Sequence, residues 1–554
     1  MKKILLLSII GLLFASCEDF LDSENYTKKT TVSFPLNVED ANQIITGIYN
    51  TLNEEIQSNY TSSPFFIAEL ASDERFSGGG VNDRSWHAVD KLMNFGTNMM
   101  GNFWSNRYQG IFRANVALET LGKVPWDNEK QYNTAIGEVY FLRGYYYFTL
   151  VQFFGNIPLV LSSLPVNNPQ ASADEVYAQI ASDLKKAIEL LPNDKYNPSL
   201  AGRATKWAAE AIIGRVFLFY TGFYNKTELP LVEGGSIKST DAISWLEDCI
   251  ANSGHDLVSD YRNLWPYTNE YTVENYDYTK GQGLKWEGDG NKEIVFATKF
   301  AIQNFRNTIC QAFGLRQPMG QVNSFPFGQG WGGGPVSPTL WNEWKNAEPE
   351  DIRRSASIFY ADELPDYRWG ADNMVEETGF WQKKYIGVSC YVNGDFKFSY
   401  NIPMYGFNRD WANAFTNDLV HMRFADVLLM HSELTETVMG INKVRERAKL
   451  TPIATYSLAA LKQERRFELC FENTRFNDLR RWGDAEEALQ KQVGVPVKNG
   501  NVDGQIKAVG GGYGARYRVT QGFWPIPEDQ IKLSEGVLKQ NAGWGTPDAE
   551  FTGL

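Results

Sequence analysis

The chain has 554 residues and a formal net charge of −13 at pH 7. This negative charge argues against binding to nucleic acid, which requires a basic surface. The hydrophobic fraction of 43% is typical of a large globular protein. Aromatic residues make up 14% of the chain and include 16 tryptophans, which suggests that some of them serve a binding surface as well as a core.

The first 16 residues have the layout of a secretory signal, with a basic start, a short apolar core and two small residues before Cys17. The apolar core is shorter than the roughly 20 residues that span a bilayer. A cysteine directly after the small residues resembles a bacterial lipobox. We therefore predict a signal peptide over 1–16, acylation of Cys17 (for example by palmitate) and a polar tether over 17–35. The alternative is an ordinary signal peptide with an incidental cysteine.

Two long apolar segments predict buried helices at 135–155 and 203–224, and a shift of 72 residues aligns them. An amphipathic helix follows each, the first with a capping box formed by Ser172 and Glu175. Similar helix pairs recur at 419–450 and 457–490. The pattern predicts a mainly α fold with a tetratricopeptide-like helical repeat scaffold of about four helix pairs.

The helical pairs occupy about 129–252 and 419–490, and a loop-rich, minor-β region lies between them at about 255–418. This region is rich in Gly, Asn, Tyr and Trp, and 292–300 is its clear strand candidate. Long loops carried by a rigid scaffold commonly hold binding sites. We expect the ligand-binding region here.

The sequence carries few signs of catalysis or of a metal site. Glu464, Glu468 and Glu472 lie one helical turn apart, and paired carboxylates could hydrolyse a glycosidic bond. With five arginines nearby, an Arg–Glu network that braces two helices is the favoured interpretation. The segment 287–293 alternates oxygen side chains as calcium loops do, but a turn before the strand is favoured. No cysteine or histidine has metal-ligand spacing.

Several aromatic residues lie in polar, glycine-rich segments with no period that would bury them. One segment covers 76–90, a second covers 264–290, and a lone tryptophan stands among glycines at 328–333. An aromatic ring offers a rigid face for a sugar ring, and nearby Asn and Arg can hydrogen bond to hydroxyls or to a peptide. The candidate ligand-binding residues are Asn82, Arg84, Trp86, Trp265, Tyr276, Tyr278, Trp286 and Trp331. For any one aromatic, packing under a loop is an equal alternative.

Blocks of sequence in a fixed order resemble the SusD/RagB family of outer-membrane lipoproteins of the Bacteroidota. They are "CEDFLD", "FWSNRYQGIFRANVALE", "EVYFLRGYYYFTLVQFFGNIPLV", "GRATKWAAEAIIGRVFLF", "HMRFADVLLMHSELTE", "INKVRERAKL", "ERRFELCFENTRFNDLRRWG" and "PIPEDQIKLSEGVLKQNAGW". The last block departs mildly from the family pattern, because Ala542 and Trp544 replace Pro and Tyr. The resemblance covers the chain almost end to end.

The resemblance implies a SusD-like domain over 36–554, with four tetratricopeptide-like pairs and the loop-rich region packed on them. It also implies a lipid-anchored, surface-exposed outer-membrane protein that acts as a lid on a SusC-like TonB-dependent transporter. Glycan-binding members present aromatics from an early loop and from the middle region. Trp86, Trp265, Trp286 and Trp331 fall in comparable regions by position only.

We therefore predict a non-enzymatic lipoprotein that binds an oligosaccharide or polysaccharide and delivers it to the transporter. No cofactor is expected, although the sequence leaves open whether a structural calcium ion is bound. No nucleic acid is expected as a partner. One alternative is peptide capture, as the RagB name suggests. The other is a surface glycosidase that uses Glu464 and Glu468.

Overall fold

The computed structural model describes residues 34–57, 60–96, 98–300, 306–317, 324–406 and 415–554. Cys17 and the signal segment lie outside these residues, so their roles stay predictions, as do the predicted domain boundaries. Among the described residues, no helix is both long enough and apolar enough to span a bilayer.

Helices make up most of the regular structure, and short two-stranded sheets join the loops. The helices are α1 Val38–Gln57, α2 Pro64–Leu70, α3 Arg84–Asp90, α4 Gly101–Thr120, α5 Glu129–Phe154, α6 Ala173–Leu190, α7 Lys206–Phe223, α8 Ser239–Asn252, α9 Thr308–Ala312, α10 Pro338–Ala347, α11 Ile352–Ser357, α12 Asn401–Tyr405, α13 Phe424–Thr435, α14 Met439–Arg447, α15 Leu458–Leu469, α16 Arg475–Trp482, α17 Ala485–Gln490, α18 Tyr513–Thr520 and α19 Glu528–Leu533. The strands are β1 Ile157–Pro158, β2 Gln170–Ala171, β3 Leu229–Pro230, β4 Ser236–Ile237, β5 Ile294–Thr298, β6 Ile358–Tyr360, β7 Phe380–Gln382, β8 Cys390–Val392, β9 Asp395–Lys397, β10 Leu419–Arg423, β11 Pro496–Asn499 and β12 Val502–Gln505.

The long helices stack in chain order: α4 packs on α1 and α5, then α6, α7 and α8 follow, and α13 packs on α8. The buried helices and the capping box at Ser172 are found as predicted. Close approach depends on small residues, since a Cβ at Gly144 would lie 3.2 Å from Leu184 Cγ. The predicted helical repeat scaffold is confirmed, and α1 with α4 forms a further pair at its start.

The two arginines that the 72-residue shift aligns both form ion pairs with another helix, although their partners are not equivalent positions. Arg143 of α5 donates to Asp183 of α6, with Nη2 2.7 Å from Oδ1. Arg215, at the equivalent position of α7, donates to Asp426 of α13 at 2.5 Å. Each guanidinium thus ties its helix to a neighbouring helix of the stack, in a geometry that favours charge-assisted hydrogen bonds.

The loop-rich region is joined to the scaffold by the antiparallel pair β5 and β10. β5 lies within the predicted strand 292–300, and β10 runs directly into α13. A separate hydrophobic cluster forms the core of this region, with Trp265, Tyr267 and Trp381 among its members. The region is therefore held by its own aromatic core as well as by the scaffold.

A buried histidine in β10 makes the stability of the protein depend on pH. Burial, followed by the charges of Arg107 and Arg215, lowers the pKa of His421 from 6.5 to about 3. Its Nε2 lies 2.7 Å from Thr298 Oγ1 on β5. Because the unfolded chain takes up the proton first, this contribution is complete above pH 6.5 and is lost as the pH falls towards 3.

We expect His421→Gln to remove part of the acid sensitivity. From pH 7.5 to pH 5, the histidine should account for about 2 kcal/mol of the fall in the free energy of unfolding. Urea titrations of both proteins at the two pH values measure this difference. An equal fall in wild type and variant would show that His421 does not carry the effect.

Candidate ligand-binding surface around Trp331

Two glycine-rich loops are paired at one face of the loop-rich region. The amide of Gly79 donates to Gly332 O at 2.8 Å, and the amide of Gly334 donates to Ser77 O at 3.0 Å. Gly78 between them has a φ of +60°, and a Cβ there would lie 2.4 Å from Gly332 O. Only glycine fits such a position. The pairing holds the segment that carries Trp331 in a fixed place.

Trp331 has 40% of its surface exposed, which makes it the most exposed of the described tryptophans. Its side chain lies close enough to Tyr60 to act on the pKa of that hydroxyl, which donates to Gln311 Oε1 at 3.2 Å. Burial is the main cause that raises the pKa of Tyr60 to about 12, so the phenol stays protonated. The indole is thus partly exposed, beside a phenol that stays protonated.

Charged side chains lie beside the segment that carries this ring. Arg316 donates to the Trp331 carbonyl at 3.2 Å and pairs with Asp372 at 2.8 Å and Asp83 at 3.6 Å. Arg306 lies close enough to Tyr60 to act on its pKa. An exposed indole beside guanidinium and carboxylate groups can stack on an apolar ring face and hydrogen bond to hydroxyls at its edge.

Of the predicted early-loop residues, only Asn82 is exposed beside this surface. Trp86 is 5% exposed and packs under the glycine loops, with its ring centroid 5.4 Å from Tyr60 and 5.3 Å from Phe66. Arg84 donates to Phe551 O at 3.2 Å. The expectation that Trp86 offers a ring to a ligand is wrong, because α3 turns that ring into the core.

The aromatic cluster predicted at 264–290 is mostly core. Trp265 and Tyr276 are buried, and Tyr278 is half-buried under Lys383, whose Nζ lies 4.0 Å from the ring centroid. Tyr276 packs on Tyr278 and Phe327, and Trp265 packs on Tyr385. The rings of Trp265 and Tyr276 therefore belong to the core and do not offer a face for stacking, while Tyr278 is only partly covered. Trp286 is half-buried and lines a different groove, whose lining does not include Trp331.

The surface also contains residues that sequence reasoning missed. They are Tyr60, Asp83, Arg306, Gln311 and Arg316. They come from three separate stretches of chain, and none belongs to a recognisable motif. Asp83 lies directly between two predicted residues, and its Oδ2 accepts the Gly80 amide at 2.7 Å. Its position in the same glycine-rich loop was the one feature of the sequence that could have indicated a role in ligand binding.

The three glutamates of 463–483 form the predicted Arg–Glu network rather than an open catalytic pair. Glu464, Glu468 and Glu472 are all buried. Arg353 Nη1 donates to Glu464 at 2.6 Å and to Glu468 at 3.0 Å. Burial acts to raise the pKa of Glu468, but three guanidiniums outweigh it and hold the pKa well below its usual range. These carboxylates are paired with cations and are closed off from solvent.

The oxygen side chains of 287–293 have separate partners. Asp289 accepts the Asp418 amide at 3.1 Å, Asn291 accepts the amide of Glu293, and Glu293 accepts from Arg447 at 3.0 Å. Within the described ranges, no group of three or more His, Cys, Asp or Glu side chains is arranged to hold a metal ion. The segment is a turn that leads into β5, as favoured, while the cofactor requirement stays a prediction.

Comparison with known proteins places the chain in a family. The family model described as "Starch-binding associating with outer membrane" matches residues 19–218, and the SusD family model matches residues 292–544. SusD-like protein P25 of Formosa agariphila is 25% identical over 545 residues, covering 87% of this chain and 91% of its own. The chain belongs to the SusD/RagB family.

Solved structures agree over almost the whole chain. A laminarin-binding SusD-like protein is 25% identical, with a TM-score of 0.69, and the match covers 92% of this chain and all of that one. Surface glycan-binding protein A from Bacteroides thetaiotaomicron, solved in complex with laminarihexaose, has a TM-score of 0.70 at 20% identity, covering 91% of this chain and 99% of that one. At 20% identity, the similarity to surface glycan-binding protein A shows a shared fold only.

Proposed function

We propose that this protein is a glycan-binding lipoprotein of the outer-membrane surface, which captures an oligosaccharide or polysaccharide at the Trp331 surface without cleaving it. The observation that carries the proposal is the exposed indole of Trp331, held by paired glycine loops and surrounded by hydrogen-bonding side chains. The laminarin-binding relative of the same fold supports a saccharide as the ligand. The buried glutamates of 463–483 support a role in binding rather than hydrolysis.

In this proposal, acylated Cys17 anchors the protein to the outer membrane and residues 18–35 let the domain move on the anchor. A single acyl chain holds a protein only weakly, so firm anchoring needs more than one. The domain would open to take up ligand and close over a SusC-like TonB-dependent transporter to deliver it. Cell fractionation of a Cys17→Ser variant tests the anchor. We expect the variant to leave the membrane fraction, and a variant that stays there would show that Cys17 does not anchor the protein.

The test of ligand class is a binding screen with the chain that begins after Cys17. Affinity electrophoresis and calorimetry against plant, microbial and host glycans, with a mixed peptide digest alongside, compare the alternatives directly. We expect retardation by at least one polysaccharide, whose size is unchanged after incubation. Binding to peptides alone would replace the proposal by peptide capture, and shortened polysaccharide would replace it by hydrolysis.

A further inference from the structure

A second groove, about 660 Å³ in volume, lies in the loop-rich region away from the Trp331 surface. We call it the Trp286 groove. Tyr405, with 38% of its surface exposed, and half-buried Trp286 form aromatic parts of its wall. Tyr400 backs the Trp286 ring edge-on, with centroids 5.3 Å apart and planes at 83°. The wall therefore offers aromatic faces that other side chains keep in place.

Two carboxyl groups and one ammonium group meet at the side of this groove. The Asp418 amide donates to Asp289 Oδ1 at 3.1 Å, and Lys299 Nζ donates to Asp418 Oδ2 at 2.7 Å. Burial and the charge of Asp418 raise the pKa of Asp289 to about 8, against the opposing effect of Lys299. At neutral pH the three groups therefore supply both donors and an acceptor, which is what a hydroxyl-rich ligand requires.

A smaller cavity of about 30 Å³ adjoins the groove, and the two share Trp286, Gly288, Asp289 and Asp418 in their linings. Trp265 and Asn417 also line this inner cavity. The Trp265 Nε1 donor and the Asn417 Oδ1 acceptor are buried and have no hydrogen-bond partner among the described residues. A buried donor or acceptor that stays unsatisfied destabilises the fold, so a ligand group that pairs with it gains affinity.

We propose that the Trp286 groove and its inner cavity form a second saccharide-binding site, which takes a hexose unit with its exocyclic hydroxymethyl group in the inner cavity. The cavity has room for one water-sized group. A hydroxyl there accepts from Trp265 and donates to Asn417, so it satisfies both unpaired groups. A pentose such as xylose has no hydroxymethyl group and leaves both unsatisfied.

Further charged groups at this site are Glu270, Lys285 and Glu287, which line the groove with Asp289, Lys299 and Asp418. They add hydrogen-bonding groups for ring hydroxyls. The site goes beyond the proposed function, which concerns the Trp331 surface. A chain with two separate saccharide sites can hold one long polymer at two points, which raises its overall avidity.

The test uses the mature chain with Trp331→Ala, so that the first surface does not contribute. We would titrate it by calorimetry with laminarihexaose, maltohexaose, cellohexaose and xylohexaose. We expect at least one of the three glucose oligomers to bind, and xylohexaose to bind at least tenfold more weakly. Adding Tyr405→Ala should weaken the glucose oligomer at least tenfold, while adding Phe112→Ala, another exposed aromatic, should not.

Three results would overturn the second site. They are no binding of any glucose oligomer to the Trp331→Ala protein, equal affinity for xylohexaose, and no effect of Tyr405→Ala. Because Tyr405 is exposed, its replacement leaves the fold intact, which a thermal melt of the variant checks. The screen on the wild-type chain tests the Trp331 surface separately, so the two proposals can fail independently.

Discussion

Replacing Arg423 by methionine will lower the free energy of unfolding by about 3–5 kcal/mol, because it removes the one cation that three buried carboxylates share. Arg423 lies at the end of β10 with its side chain fully enclosed. Its Nε donates to Glu472 at 2.6 Å, its Nη1 donates to Glu468 at 3.0 Å, and it also pairs with Glu293. One guanidinium thus joins β10 to α15 and to the residue before β5.

The matched control is Arg518→Met. Arg518 also pairs with a glutamate, Glu486, but both side chains are largely exposed. Exposed ion pairs contribute about 0–1 kcal/mol, so this variant should unfold close to wild type. Urea denaturation of the three proteins gives the comparison. If Arg423→Met and Arg518→Met have the same midpoint as wild type, the network does not stabilise the fold.

A variant in the same network tests the glycosidase alternative. Glu468→Gln keeps the size of the side chain but removes the anion that faces Arg353, Arg423 and Arg447. A drop in stability without any change in polysaccharide cleavage agrees with a structural role. Loss of a measurable hydrolytic activity in a folded Glu468→Gln protein would instead support the glycosidase alternative.

Trp331→Ala will weaken binding of the glycan identified in the screen by roughly 30-fold or more, which corresponds to about 2 kcal/mol for a tryptophan at the centre of a binding surface. The melting temperature should change little, because the ring is 40% exposed. Calorimetry measures the dissociation constant, and a thermal melt measures stability. Trp331→Phe keeps an aromatic face and should lie between the two proteins.

Trp86→Ala is the informative comparison, because Trp86 lies directly under the same loops but is buried. Removing a buried tryptophan costs about 3–5 kcal/mol, so this variant should melt at a much lower temperature. Phe112→Ala, at an exposed ring on α4, controls for the loss of any surface aromatic. Unchanged binding by Trp331→Ala would remove the Trp331 surface from the proposed function.

The helical half of the fold was predictable because its signals are local. A helix that is apolar all round, such as α5, has to be buried, and its repetition in α7 indicates stacked pairs. The Ser172 capping box likewise depends on residues three positions apart. Alternation and composition also placed β5, but they could not give its partner β10, which lies more than a hundred residues away.

The binding surface was only partly predictable, for the same reason. Trp86 and Trp331 both lie in glycine-rich sequence, yet one ring packs beneath the paired loops and the other stands on their outer side. Arg316 and Tyr60, which complete the surface, come from segments with no motif of their own.

The sequence by itself determined the helical repeat, the Arg–Glu network and the region in which aromatics gather, since these follow from spacing and composition along the chain. It also indicated the family, through the resemblance of ordered sequence blocks. Only the tertiary structure decided which aromatics are exposed, because burial depends on contacts between distant segments. In the structure, Trp331 and Trp286 lie at different surfaces, and the rings of Trp86, Trp265 and Tyr276 are buried. Tyr60, which is distant in sequence, lies beside Trp331.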